Sequence, residues 1–151
     1  MLRARKLILA AALLLAPAPA FADCTISVTA VAFGTYDPSS NTARDGTGTV
    51  RLDCRHNDDP SVTIGTGVSG SYASRRMTNG GSQLQYNLYT TAARVSIWGN
   101  GLSGTLALVP PITQSIGLRR IRESTIFGRI PARQNVRVGT YTDSMFVTVT
   151  F

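Results

Sequence analysis

The final residues of the chain alternate between apolar and polar side chains. Over residues 139–151 five of the larger apolar side chains fall on odd positions, with Thr or Ser between most of them: Tyr141, Met145, Val147, Val149 and Phe151. A repeat of two is typical of a strand with one buried face. Because this strand is the last of the chain, an earlier strand can pair with one of its edges, and whatever covers the other edge must come from elsewhere.

Shorter runs with the same alternation recur along the chain. They occupy residues 25–33, 47–54, 61–65, 83–89, 93–98 and 124–130. Clusters rich in Gly, Asn, Asp and Pro separate them, and these residues supply the backbone angles that turns need. Short strands separated by such turns predict an all-β sandwich. Residues 103–123 show no clear period and include Pro110 and Pro111, so we expect a long connection between sheets there.

The alternation also assigns the faces of two strands. In the run at 47–54 the side chains that point to the core are Val50, Leu52 and Cys54. In the run at 83–89 the inward side chains are Leu84, Tyr86 and Leu88, and the outward ones are Gln83, Gln85 and Asn87. The second cysteine of the chain is therefore expected on the inner face of its strand.

The first 22 residues have the organisation of a secretory signal peptide. Arg3, Arg5 and Lys6 precede an apolar stretch at residues 7–16, and the small residues at 20 and 22, on either side of Phe21, form a cleavage site. The apolar stretch is too short to remain as a membrane anchor. We therefore expect a signal peptide at residues 1–22 and one exported domain at residues 23–151, which does not span the membrane after cleavage.

Charge and composition argue against several classes of function. The full chain carries 15 cationic and 8 acidic side chains, and three of the cationic ones belong to the signal peptide. The remaining arginines are scattered apart from those at residues 118–122, so we expect them on a solvated face and predict no nucleic-acid partner. With one His, one Glu and no expected free thiol, the chain offers few of the groups from which catalytic sites are built, and its abundant Ser and Thr suit exposed strands and turns. We predict no catalytic residue, no cofactor and no enzyme.

Cys24 and Cys54 are the two cysteines of the chain. An even number of cysteines in an exported protein predicts a disulfide, and this one would tie the first strand to the second. Metal binding is the rival interpretation, but two thiols and His56 do not complete a tetrahedral site. We expect a structural disulfide, no metal, and a solvated loop position for His56.

A set of motifs in the exported region resembles a known family. The motifs are CTIS at 24–27, FGTYDP at 33–38, VRLDC at 50–54, RRMTNGGSQLQYNLYT at 75–90, WGNG at 98–101, IFGRIPARQ at 126–134 and GTYTDSMFVTVTF at 139–151. In this order they resemble the spore coat protein U domain family, which includes subunits of archaic chaperone-usher pili. The resemblance implies an immunoglobulin-like pilin sandwich that lacks its last strand. It also implies three partners: a periplasmic chaperone, an outer-membrane usher and a neighbouring subunit that donates a strand.

The resemblance implies a site as well as a fold. The missing strand would leave an acceptor groove bordered by Ile26 and Val28 on one side and by the terminal strand on the other: Met145, Val147, Val149 and Phe151. A strand from another protein would fill this groove through backbone hydrogen bonds and alternate side-chain pockets. We therefore expect a structural or adhesive subunit of a surface fibre, located at the cell surface, in a fimbrium or outside the cell.

The position of the first cysteine bears on the role within a fibre. If cleavage follows Ala22, only Asp23 precedes Cys24, which leaves no donor segment. We therefore expect a strand acceptor at a tip or terminus. The alternative is a free-standing secreted binding module of the cell surface or spore coat, with a complete fold. Loops at the ends of the sandwich, including the one with Trp98, are candidates for recognition, although a tryptophan in this position is more often a partly buried packing residue than a ligand platform.

Overall fold

The computed structural model describes residues 24–55 and 59–151. The expected signal peptide and the loop position of His56 lie outside the described residues. The described residues form eight strands: β1 (Cys24–Ala32), β2 (Arg44–Cys54), β3 (Ser61–Ile64), β4 (Arg75–Asn79), β5 (Ser82–Tyr89), β6 (Ile112–Ile116), β7 (Arg119–Ile130) and β8 (Val147–Thr150). A 3₁₀ turn lies at Gly67–Ser69. The prediction of an all-β protein is confirmed.

The strands form a large antiparallel sheet and a small one. The large sheet has the order β1-β2-β7-β5-β4, and β6 pairs with the first half of β7. The small sheet consists of β3 and β8. A bridge between Thr78 of β4 and Thr142 connects the far side of the large sheet to the chain that leads into β8. The strands thus curl around a common core, and β1 lies at one end of this arrangement.

The core contains the side chains whose inward position the alternation predicts. Val50, Leu52 and Cys54 on β2 are at most 1% exposed, and Leu84, Tyr86 and Leu88 on β5 are also buried. Ile64, Trp98 and Ile130 complete the centre, each also at most 1% exposed. Trp98 donates a hydrogen bond from Nε1 to the carbonyl of Val62 at 3.0 Å. Its burial rules out the role of a ligand platform and leaves the packing role.

Several expectations about individual segments are wrong. Residues 93–98 form no strand, and only Ile97 and Trp98 make isolated bridges. Residues 103–123 contain β6 and the beginning of β7, because the chain resumes pairing after Pro111. Strand β4 was not expected, since its two arginines hide the apolar alternation.

Burial also corrects the assignment of polar side chains. Asn87 is 7% exposed and turns inward, where its Oδ1 accepts a hydrogen bond from Arg75 at 2.7 Å. Arg75 and Arg122 are almost fully buried rather than solvated. Arg122 donates to the Pro110 carbonyl at 2.9 Å and pairs with Asp59 at 2.5 Å. Buried arginines persist here because carbonyl and carboxylate oxygens surround them.

Candidate functional site

An open groove runs between β1 and the C-terminal segment, which we define as residues 141–150. Among the described residues, β1 pairs only with β2, and β8 pairs only with β3. Each strand therefore has an edge without a neighbouring strand, and the walls of the groove are β1 and residues 141–147, the chain that leads into β8. Unpaired backbone N–H and C=O groups along such edges are able to bind a further strand.

The groove has two connected sections. The first has a volume of about 430 Å³ and lies between residues 28–33 and residues 141–147. The second has a volume of about 580 Å³ and lies between residues 31–38 and residues 136–141. Residue numbers rise along one wall and fall along the other, so the walls are antiparallel. A strand inserted between them would run parallel to one wall and antiparallel to the other.

The floor of the first section is apolar because inward side chains of both sheets reach it. These side chains are Ile64, Met77, Tyr86, Leu88 and Ile126. All of them are at least 91% buried by their neighbours. The groove is therefore an opening onto the hydrophobic core, and an apolar side chain that enters it would extend that core.

A bulge in β1 shapes the floor between the two sections. The register of β1 with β2 shifts between Thr29 and Ala32, and after the shift Val31 and Phe33 turn inward. Phe33 lies over Gly128 of β7, where an added Cβ would come within 2.6 Å of its ring. Phe33 also packs against Tyr86 with ring centroids 5.8 Å apart. Glycine at position 128 thus provides the space that Phe33 occupies.

The structure brings together some of the residues predicted for the groove. Val28, Met145 and Val147 line its first section. Ile26 lies on the same face of β1, opposite Leu52, and is 45% exposed beyond the lined section. Val149 packs against the core, whereas Phe151 follows the end of β8 and is 54% exposed. The lined part is therefore shifted toward residues 141–147 relative to the predicted one.

Asp143 is a groove residue that the sequence analysis missed. It occupies an odd position in the apolar row of the C-terminal segment, between Tyr141 and Met145. Its Oδ2 accepts a hydrogen bond from the Tyr86 hydroxyl at 2.7 Å. Its Oδ1 accepts hydrogen bonds from the backbone N–H groups of Val68 at 2.9 Å and Ser144 at 2.8 Å. The sequence could have identified Asp143 by its odd position, because a charged residue in a row of inward apolar side chains requires an explanation.

The surroundings of Asp143 are tightly packed and partly charged. An added Cβ at Gly67 would lie 2.1 Å from Asp143 Oδ2, and Gly67 has a φ of +67°, so glycine is required there. Burial, and then the hydrogen bond to Asp143, raises the pKa of Tyr86 well above its usual range. Burial lowers the pKa of Arg75, and the nearby negative charge of Asp143 partly opposes that shift. Tyr86 is thus a neutral donor to a carboxylate at the edge of the groove.

The structure joins Cys24 to Cys54 in a disulfide with an S–S distance of 2.02 Å. The two residues lie directly opposite each other at the ends of β1 and β2. The bond therefore attaches the groove's first wall to the sheet. Within the described ranges, 24–55 and 59–151, no group of His, Cys, Asp and Glu is arranged to hold a metal ion.

The described residues include no helix with the length and apolar character of a membrane span.

Comparison with known proteins places this geometry in context. Residues 10–148 match the Spore Coat Protein U domain. Protein U of Myxococcus xanthus is 36% identical over 136 residues, which cover 79% of this chain and 70% of that protein.

A solved structure shares the fold. It is a chain in the crystal structure of the CsuC–CsuE chaperone–tip adhesion subunit pre-assembly complex from archaic chaperone-usher Csu pili of Acinetobacter baumannii. The superposition has a TM-score of 0.61 at 20% identity and covers 87% of this chain. This chain spans 40% of that one. The match over nearly the whole length shows that the chain belongs to the spore coat protein U domain family.

Proposed function

We propose that this protein is a non-enzymatic subunit of a surface fibre that accepts a strand from another protein in its groove. The observation that carries the proposal is the pair of free strand edges, β1 and the C-terminal segment, on either side of an opening onto the core. The match to a chain of a chaperone–subunit complex supports the same role. A periplasmic chaperone would fill the groove first, an outer-membrane usher would follow, and a neighbouring subunit would supply the final strand. Its position at a fibre tip stays a prediction of the sequence.

The free energy of strand capture would come from both the backbone and the side chains. Two edges offer hydrogen bonds to one inserted strand, and the floor accepts alternate apolar side chains. Burial of about four such side chains contributes roughly 1.5–3 kcal/mol each before the cost of ordering the strand. We therefore expect slow dissociation of the captured strand.

The test uses matched substitutions on β1. Val28 lies on the groove side, opposite Val50, and is 47% exposed when the groove is empty. Val28→Asp should be tolerated by the empty protein, because the carboxylate reaches water, but it should abolish capture of an alternating apolar peptide. Ser27→Asp is the control, since Ser27 pairs with Arg51 on the outer face. The full chain is exported, and binding of a fluorescent synthetic peptide is measured.

A second pair of variants tests the other wall. Val147 is half-buried and lines the groove, whereas its neighbour Thr148 is exposed on the outer face. Val147→Asp should abolish capture and Thr148→Asp should preserve it. A stable soluble monomer that captures no alternating peptide would overturn the proposal and favour the free-standing binding module.

A further inference from the structure

We propose that the incoming strand carries one hydrogen-bond donor, such as Thr, Ser or Asn, within its otherwise apolar groove-facing row, and that Asp143 recognises it. The inference rests on the proposed strand-acceptor function and specifies the chemistry of the partner. It follows from the position of a carboxylate on the wall of an otherwise apolar section.

A strand that fills the groove would change the hydrogen-bond partners of the Asp143 carboxylate. In the empty groove its carboxylate is half-buried, and three donors of this chain contact it: the Tyr86 hydroxyl and the N–H groups of Val68 and Ser144. Two of the three bind Oδ1, so Oδ2 has a single donor. An ionised carboxyl group accepts about four hydrogen bonds. Capture of a strand removes the remaining access to water, and a purely apolar strand would leave Oδ2 short of partners.

The surroundings of Asp143 offer no hydrogen-bond donor that could replace water at its carboxylate. The lining of the first section includes the apolar Met145, Val147, Met77 and Leu88, and the polar neighbours of Asp143 in sequence, Thr142 and Ser144, are exposed to solvent rather than half-buried like Asp143. The buried guanidinium of Arg75 is committed to the carbonyls of Gly65, Ile64 and Trp98 and to Asn87. The donor therefore has to come from the strand itself.

Asp143 would also fix the register of the inserted strand in the groove. Asp143 is the single acidic residue in the lining of the first section, so it marks one position along an otherwise uniform apolar row. A strand with a period of two can shift by two residues without changing which side chains face the core. A donor that must meet Asp143 makes one of these registers more stable than the others. The carboxylate would thus select both the partner and its alignment.

The experiment compares peptides of about twelve residues, a length that spans the groove walls at roughly 3.3 Å per residue. The reference peptide has Val at every groove-facing position, and in each other peptide one of these Val residues is replaced by isosteric Thr. Away from Asp143, Thr should weaken binding to the exported full chain because its hydroxyl is buried without a partner. At the position facing Asp143, Thr should strengthen binding about three- to tenfold, because a hydrogen bond to a charged acceptor outweighs the cost of burying the hydroxyl.

Two variants of the protein separate recognition from a merely structural role. Asp143→Asn should reduce the preference for the best Thr peptide over the all-Val peptide, because hydrogen bonds to a neutral acceptor are about half as strong. Tyr86→Phe should increase the same preference, because it removes the one donor to Oδ2. If Asp143 only stabilises the fold, both variants will change the affinity for all peptides by the same factor.

The outcomes distinguish the two proposals. If the all-Val peptide binds and every Thr substitution weakens it, the role of Asp143 is refuted while strand capture stands. If no peptide binds the wild-type chain, the strand-acceptor function itself fails. A preference for Thr that is unchanged in both variants would also overturn the inference. Should Asp143→Asn fail to fold, Tyr86→Phe alone still gives the opposite-signed test.

Discussion

Arg75 has no exposed surface and donates four hydrogen bonds within the core. Its Nε binds the Gly65 carbonyl at 2.9 Å, and its Nη atoms bind Asn87 Oδ1 and the carbonyls of Ile64 and Trp98 at 2.6–3.2 Å. These acceptors belong to β3 and the residue that follows it, to β5 and to the segment around Trp98, so one side chain on β4 connects elements that are distant in sequence. The guanidinium satisfies carbonyls that regular pairing leaves free.

Arg75→Met should destabilise the protein by about 3–5 kcal/mol, because several buried acceptors would lose their partner at once. The adjacent Arg76→Met is the matched control: Arg76 is half-buried and binds Gln83 Oε1 at 2.8 Å. Its loss should cost under about 1 kcal/mol. The free energy of unfolding in urea measures both. Equal losses would show that Arg75 does not have this connecting role.

Asp45 gives a prediction about pH. The hydrogen bond from Arg129 lowers the pKa of Asp45 below its usual value of 3.8, and the charge of Arg94 adds to this. Because the folded pKa is lowered, the stabilisation is present above pH 3.8 and is lost as pH falls through the folded value. The difference in free energy of unfolding between wild type and Asp45→Asn should therefore be largest near neutral pH and shrink below pH 3.8. A difference that grows on acidification would contradict this.

At the scale of elements, the sequence predicts strands where the alternation is made of apolar residues. It predicts β2 and β5 with correct inward faces, since Val50, Leu52, Leu84 and Leu88 are the residues that the core needs. It fails for β4, because Arg75 occupies an inward position of that strand. The oxygen atoms that accept its hydrogen bonds come together only in the folded protein, so the sequence gives no reason to bury a charged residue there. The turn Asn79–Gly80–Gly81 was a usable signal, since such turns commonly join two strands of a hairpin.

The sequence pattern likewise predicts only part of the candidate groove. Its C-terminal wall follows the predicted alternation from Tyr141 to Val149, so the pattern identifies this wall from the sequence alone. The second section, with Tyr36 and Val136, was not expected. It depends on the bulge in β1 and on the irregular chain after β7, neither of which has a periodic signature. The periodicity of a sequence predicts which side chains face the core. The shape of a groove depends on where the pairing between strands ends, which the periodicity does not predict.

The disulfide gives a prediction about β1, which has one paired edge. A bond that closes a loop with a sequence separation of 30 stabilises the fold by about 3–4 kcal/mol on the chain-entropy model. The double variant Cys24→Ser, Cys54→Ser should lose about this amount in urea unfolding, and wild type under reducing conditions should match it. Thiol titration of the denatured wild-type protein should find no free thiol. Two reactive thiols would refute the structural disulfide.

At the scale of the whole molecule, the groove is where the curled arrangement of the described strands stays open between β1 and the C-terminal segment. The large sheet reaches β8 through the Thr78–Thr142 bridge, and β8 is held by β3. One inserted strand would pair with β1 and with the C-terminal segment together, and so would close the arrangement. Among the described strands β6 pairs only with β7, so β6 also has a free edge, on its side away from β7. Capture should therefore affect two regions that are far apart in sequence and leave β6 unchanged.

Amide hydrogen exchange measures which strand edges become protected when a peptide is captured. In an antiparallel pair, alternate N–H groups of an edge strand point away from its partner, so those of β1 that do not bind β2 should exchange rapidly in the empty protein. A saturating alternating apolar peptide should slow exchange at residues 26–33 and 141–147 together, in a one-to-one complex, and should raise the melting temperature because it binds only the folded state. Val28→Asp should show no such protection at equal peptide concentration. Protection of Ile112–Ile116 instead would show that the peptide adds to the β6 edge, and the groove would then not be the site of capture.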